Sequence, residues 1–264
     1  MSDAQPTSHA ERPDIVFIGP YGSGKTTQAK ILAKTGGYVF FSAGQALRDY
    51  IAVDSPERRA LKETMAKGDL VPGHITVDFL EELIRENPTT RFAIDGMPRS
   101  ADQAELFDTM MAKLGRGFRV IELTLSDEES LRRQVERRTC PVCSSVYTLP
   151  QTTCPIDGAT LVLRPDNDPE VAKHRIENYH IETNPLVDHY YHSGLAALYV
   201  AQTFFALAAD IHLLISCGPC FQLTPFSSPP FSCPVVSCPR PFLFSFPPFL
   251  PPSLLSPPPP SPFS

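Results

Sequence analysis

The chain has 264 residues, a formal charge of −6 and a pI near 5.6. That is room for one large α/β domain or two small ones, and the acidic balance leaves no basic footprint for nucleic acid, so any phosphate binding must be local. The first residues, MSDAQPTSHAERPD, carry Asp3, Glu11 and Asp14 and no apolar core. They argue against a secretory signal or an Arg-rich transit peptide, leave the cytoplasm as the expected location and read as disordered over 1–13. Seven cysteines in such a chain point to metal ligands or free thiols rather than disulfides.

The first structured stretch is the β-branched run Ile15-Val16-Phe17-Ile18, followed by GPYGSGKTTQ from Gly19 to Gln28. Gly19, Gly24, Lys25 and Thr26 fill the pattern GxxxxGK[ST]. Strand, glycine loop and helix start occur in that order, which is what a phosphate cradle requires. Glycines let successive backbone N–H groups face one concavity at a helix N-terminus, Lys25 adds a mobile positive charge, and the Thr26 hydroxyl sits where a magnesium ligand is expected. The predicted cradle is Gly19, Gly22, Ser23, Gly24, Lys25, Thr26 and Thr27.

The helix is expected to run to Lys34 and to end at Gly36-Gly37, and Tyr38 to Phe41 reads as a second strand. Ser42 can cap a helix carrying Arg48. Pro56 to Lys67 has amphipathic helical spacing, and after the turn GDLVPG so does His74 to Arg85. Phe92 to Asp95 is a short buried strand that leaves Asp95 at its carboxyl end, with Ala101 to Leu114 as the returning helix. Val120 to Leu125 is the next strand. Ser126, with Glu129 three residues on, forms a capping box for a helix running to Arg138. Alternating strands and helices predict an α/β fold: a P-loop NTPase-type parallel sheet covered by helices on both faces, with ligands at the carboxyl ends of the strands.

Cys140-Pro-Val-Cys143 and Cys154-Pro-Ile-Asp157 are two knuckles ten residues apart, in a segment rich in turn formers. Three thiolates and a carboxylate in this spacing suit tetrahedral zinc, against the blander reading of a metal-free polar loop. Four protein ligands leave no open position, so the expected role is structural. Composition changes near position 200. After Asp210 the only charged residue is Arg240, and sixteen of the 29 prolines lie between Pro219 and Pro262. Residues 200–264 are expected to be a disordered tail, read either as a proline-rich ligand segment or, in preference, as translated pyrimidine-rich nucleotide sequence. Leu195 to Ile215 is apolar over a membrane-spanning length, but Gln202, Asp210 and His212 interrupt it and no basic cluster flanks it, so it reads as non-spanning.

Seven segments, GPYGSGKTTQAK, FSAGQALR, KGDLVPGHIT, IDGMPRSADQAE, RRQVERR, RPDNDPEVAKHRIENY and TNPLVDHYY, occur in the order and rough spacing of the adenylate kinase family of nucleoside monophosphate kinases. The resemblance runs from about Asp14 to Tyr199. It implies reversible phosphoryl transfer from ATP, as its Mg2+ complex, to AMP, giving two ADP, in a monomer with no nucleic-acid or membrane partner. It also implies a core over 14–199, with acceptor-binding helices in about 42–73 and a zinc-bearing lid inserted at about 138–165. Residue by residue it implies that Gly22, Gly24, Lys25 and Thr26 hold the donor phosphates and that Arg133 and Arg137 cover the donor. Arg48 and Arg99 would grip the acceptor phosphate, in a pocket with Ala43, Leu70, Val71, Gly96 and Gln103. Arg164 and Arg175 would close over the transferring group, and Asp95 would orient magnesium through water.

The chain departs from the family in carrying Thr26 where KGT is usual, Ala43 in place of a Thr and Gln45 in place of an Asp. It also departs after Tyr199, where the family's last strand and closing helix are expected to be missing. Two other readings stay open. One is a UMP/CMP kinase, disfavoured by the cysteine knuckles; the other is a non-catalytic nucleotide- and zinc-binding isoform.

Overall fold

The computed structural model describes residues 12–143, 145–163 and 167–200. The first eleven residues and the tail from 201 onward, where the disorder and ligand-segment expectations fall, lie outside it. So do most of 195–215, and no helix among the described residues is long and apolar enough to cross a membrane.

Five parallel strands make the central sheet: β1 (Asp14–Ile18), β2 (Val39–Ser42), β3 (Phe92–Asp95), β4 (Phe118–Thr124) and β7 (Ala196–Val200), in the order β2-β3-β1-β4-β7. β1 and β3 are buried at every position, as expected of parallel strands with helices on both faces. The helices are α1 (Lys25–Gly36), α2 (Ala43–Ile51), α3 (Pro56–Lys67), α4 (Gly73–Glu86), α5 (Ala101–Lys113), α6 (Asp127–Glu136), α7 (Pro169–Asn178) and α8 (Asn184–His192), the last two joined by one π-helical turn over Tyr179–Thr183. The core divides at the sheet. One side packs Val16, Ile94, Phe107 and Tyr190, while the other packs Ile15, Phe17, Leu32 and Leu123.

Side-chain caps fix where several helices begin. The Ser42, Ser55 and Ser126 hydroxyls accept from the amides of Gln45, Arg58 and Glu129, and the Asp168 carboxylate accepts from those of Glu170 and Val171. Each such cap contributes about 1 kcal/mol. The capping box expected at Ser126 is only half formed. The Glu129 carboxylate turns to Arg132 and Arg133, both at 2.7 Å, because two guanidiniums outcompete one amide for it. That helix also stops at Glu136 rather than Arg138, which opens the short hairpin of β5 (Arg138–Thr139) and β6 (Val146–Tyr147).

The expected loss of the last strand is corrected. β7 follows α8 and pairs in parallel register with β4 from Val120↔Ala196 to Thr124↔Val200, so the edge of β4 is covered. The residues of β7 fall within the apolar stretch expected over Leu195 to Ile215. Gly194, in a left-handed turn at φ +73°, separates the strand from α8.

Candidate active site and metal centre

The strand order reverses around β1, and a cleft of about 1060 Å³ opens at the carboxyl ends of β1, β2 and β3, where ligands of such sheets bind. β1 leads directly into its glycine loop. Gly19 is at φ +149°, and a Cβ there would lie 2.2 Å from the Leu123 carbonyl oxygen, so only glycine lets the loop pass β4 this closely. Lys25 folds back over the loop and donates to the carbonyls of Gly19 and Pro20, both at 2.7 Å. Burial lowers its pKa to about 8, against the opposing pull of the Asp95 carboxylate. Thr26, on the first turn of α1, donates to Asp95 at the end of β3 at 2.5 Å. A hydroxyl and a carboxylate thereby meet at the helix N-terminus, a donor set of hard oxygens suited to Mg2+.

The predicted residues come together. Gly22, Gly24, Lys25, Thr26, Thr27, Ala43, Arg48, Leu70, Val71, Asp95, Gly96, Arg99, Gln103, Arg133, Arg137 and Arg175 all line this one cleft. Gly19 lies beneath it, against a small neighbouring cavity, and Ser23 is buried behind it. Arg164 is outside the described residues. Each cation is held by its surroundings. Arg99 donates from Nε to the Gly96 carbonyl at 2.8 Å and from Nη1 to the Tyr21 hydroxyl at 2.5 Å. Arg133 donates to the Gly22 carbonyl at 3.0 Å, Arg137 to Asn167 at 3.0 Å, and Arg48 to Gln45 at 2.8 Å. Arg175, on α7, is buried with its guanidinium 5.2 Å from the Tyr21 ring centre.

Gln103 is oriented from both ends. Its Oε1 accepts from the Arg99 amide at 2.6 Å and its Nε2 donates to Thr76 Oγ1 at 2.6 Å. Sequence reasoning missed Thr76 and Tyr21, whose positions fall inside segments the motifs leave unspecified, and the lid residues Ser145 to Gln151 that close one wall of the cleft. The hairpin spacing of the cysteine knuckles was the only signal for those.

Around the β5–β6 hairpin, where the lid was expected, the ligand atoms of Cys140, Cys143, Cys154 and Asp157 all lie within 4.8 Å of one another. Cys140 Sγ is 3.2 Å from Asp157 Oδ2, and Cys143 Sγ is 3.6 Å from Cys154 Sγ. The Ala159 amide, 3.0 Å from Asp157 Oδ1, holds that carboxyl down to about 2, while burial pushes the Cys140 thiol up to about 11. Among the described residues the core of this segment is Cys140, Cys154 and Leu161 with Cys143, Tyr147 and Ala159 beside them. So small a cluster, built around soft thiolate donors, fits a tetrahedral zinc crosslink.

A sequence model of the adenylate kinase family matches residues 17–195. The chain is 36% identical over 189 residues to an adenylate kinase of Acidothermus cellulolyticus, an alignment covering 69% of this chain and 87% of that one. It is 34% identical over 196 residues to an adenylate kinase of Caldicellulosiruptor bescii, covering 71% and 91%, and 33% identical over 190 residues to one of Archaeoglobus fulgidus, covering 69% and 88%. The matched span contains the glycine loop, the residues lining the cleft and the cysteine hairpin, so this chain belongs to the adenylate kinase family, the ATP:AMP phosphotransferases.

Proposed function

We propose that the cleft performs phosphoryl transfer with the donor over the glycine loop and α6 and the acceptor between α2, the start of α4 and the loop after β3. What carries this reading is the convergence of Lys25, Arg48, Arg99, Arg133, Arg137 and Arg175 on one cavity in an acidic protein. Transfer of a γ-phosphoryl group needs no covalent protein intermediate, only in-line positioning and positive charge around its equatorial oxygens. The loop amides and Lys25 bind the donor β- and γ-phosphates. Arg133 and Arg137 cover the donor, Arg48 and Arg99 take the acceptor phosphate bidentately, and Arg175 reaches the group in transit, joined by Arg164. Bound with ATP, magnesium would supply positive charge against the donor phosphates. Asp95 and Thr26, already joined by a hydrogen bond, would be the residues that orient it.

Gln103 reads the acceptor base. Its amide is preset by Arg99 and Thr76, presenting one face to a base seated over Leu70 and Val71 in the pocket of Ala43 and Gly96. Such a paired donor and acceptor suits the amino and ring-nitrogen edge of adenine; UMP presents the reversed edge, and CMP presents the same pair on a smaller ring that fills less of the pocket. The protein is read as a monomeric, cytoplasmic enzyme with neither nucleic acid nor membrane as partner. Its lid, about 138–165, holds structural zinc on Cys140, Cys143, Cys154 and Asp157 and closes to exclude water, since an open site would let water take the phosphoryl group. Competition among AMP, UMP and CMP tests the acceptor assignment. AMP should be preferred, and Gln103→Leu should erode that preference by on the order of tenfold or more. Equal use of all three by the wild type would refute it.

A further inference from the structure

The GxxxxGK[ST] pattern leaves positions 20 to 23 unspecified, yet position 21 carries a large aromatic ring at the centre of the site. Tyr21 is anchored through its backbone, whose carbonyl accepts from Ser130 Oγ of α6 at 2.7 Å. Three cations surround its ring. The Arg99 guanidinium lies 5.1 Å from the ring centre, that of Arg175 5.2 Å, and the Lys25 ammonium 5.9 Å. The hydroxyl also accepts from Arg99 Nη1 at 2.5 Å. Like charges brought this close repel one another when no phosphate lies among them. The negative face of an aromatic ring and a hydroxyl oxygen offset that repulsion without adding a formal charge that would compete with the substrate.

We propose that Tyr21 is a positioning residue for the acceptor half of the site. It holds Arg99, through ring and hydroxyl, where it meets the phosphate of a nucleoside monophosphate, and Arg175, through the ring, where it meets the group passing to that phosphate. The inference rests on the reading of Arg99 and Arg175 as phosphate-binding groups. Arg99 comes from the loop after β3 and Arg175 from α7, two segments far apart in sequence, and Tyr21 is a side chain that both touch. A preset pair of guanidiniums loses less freedom on binding than two mobile ones, so the effect falls on acceptor affinity. The donor β- and γ-phosphates depend on loop amides and Lys25, which Tyr21 does not orient by hydrogen bonding.

The test uses the full chain with Tyr21→Phe, Tyr21→Leu and Arg99→Lys, varying AMP at saturating MgATP and the reverse, with calorimetric MgATP binding and a thermal melt for each. KM for AMP should rise about fivefold in Tyr21→Phe, which keeps the ring, and about thirtyfold in Tyr21→Leu, which loses ring and hydroxyl. The MgATP Kd and the melting temperature should stay near wild type. An unchanged KM for AMP in Tyr21→Leu overturns the inference, as does an equal rise in both KM values, which means general distortion of the loop. If Arg99→Lys also leaves KM for AMP unchanged, the acceptor-site reading itself fails and takes this inference with it; if only the Arg99 variant moves it, the site stands and Tyr21 is passive.

Discussion

At the opposite end of β1 from the glycine loop, Asp14 and Arg116 form a bidentate pair with both contacts at 2.7 Å, and their side chains are 0% and 4% exposed. Asp14 Oδ1 also accepts from the Phe92 amide at 2.8 Å, while Arg116 donates to the carbonyls of Pro88 at 3.0 Å and Thr90 at 2.6 Å. The pair thus stitches the entries of β1, β3 and β4. Arg116→Met strips the buried carboxylate of its bidentate partner and leaves it only the Arg91 guanidinium at 3.9 Å as counter-ion, which costs about 3–5 kcal/mol, a large part of a domain's ~5–15 kcal/mol margin. For a domain of this size that corresponds to a melting temperature lower by roughly 6–20 °C. Adding Asp14→Asn removes the stranded charge and keeps an acceptor for the Phe92 amide, so the double variant should be more stable than Arg116→Met alone. Circular-dichroism melts and urea titrations measure both, and turnover per folded molecule should hardly change with the cleft a strand's length away. A single variant as stable as the parent, or a double variant less stable than the single, would refute the reasoning.

Lys25 carries a pH prediction. In the nucleotide-free fold its pKa sits near 8 against an ordinary 10.5, so unfolding takes up a proton between those values, and this group's contribution to stability rises with pH across that window. Phosphate favours the ammonium form. MgATP binding near pH 8 should therefore take up protons, visible in calorimetry across buffers of different ionisation enthalpy, and affinity should fall as pH climbs past 8; proton release would contradict this. Removing zinc, by chelation or by Cys154→Ser, should make the lid the first site of proteolytic cleavage and release about one metal ion per chain. A metal content of zero in protein purified without chelator would reject the centre. Gly19→Ala should lose on the order of 3 kcal/mol or more through its clash with the Leu123 carbonyl, read in the melt.

Much of the core was legible because local signals agreed with one another. β3 and α3 occupy the residues that a short buried apolar run and amphipathic helical spacing assign to them, and the glycine loop sits between β1 and α1 as its pattern requires. The last strand was not legible. Ala196–Val200 merges, in hydropathy, with the apolar residues after it, and its identity comes only from pairing with β4, a contact 76 residues away in sequence at Val120↔Ala196. The end of α6 was misplaced for a similar reason: Arg138 continues a helical charge pattern, but lid pairing through Tyr147 claims its backbone. Within the site, motif residues were found and their supports were not. Tyr21 and Thr76 act by orienting Arg99 and Gln103 across 78 and 27 residues, and no local pattern encodes such a partnership.

The measurement closest to the central claim is coupled-assay production of ADP from MgATP and AMP by the full 264-residue chain, with Lys25→Ala as the blank. Turnover that requires both nucleotides and falls by a factor of about 100 or more in Lys25→Ala is the predicted result, because the substitution removes a preorganised charge at the transferring phosphates. No ADP from folded wild-type protein that still binds ATP, or turnover that survives the loss of Lys25, would contradict the account.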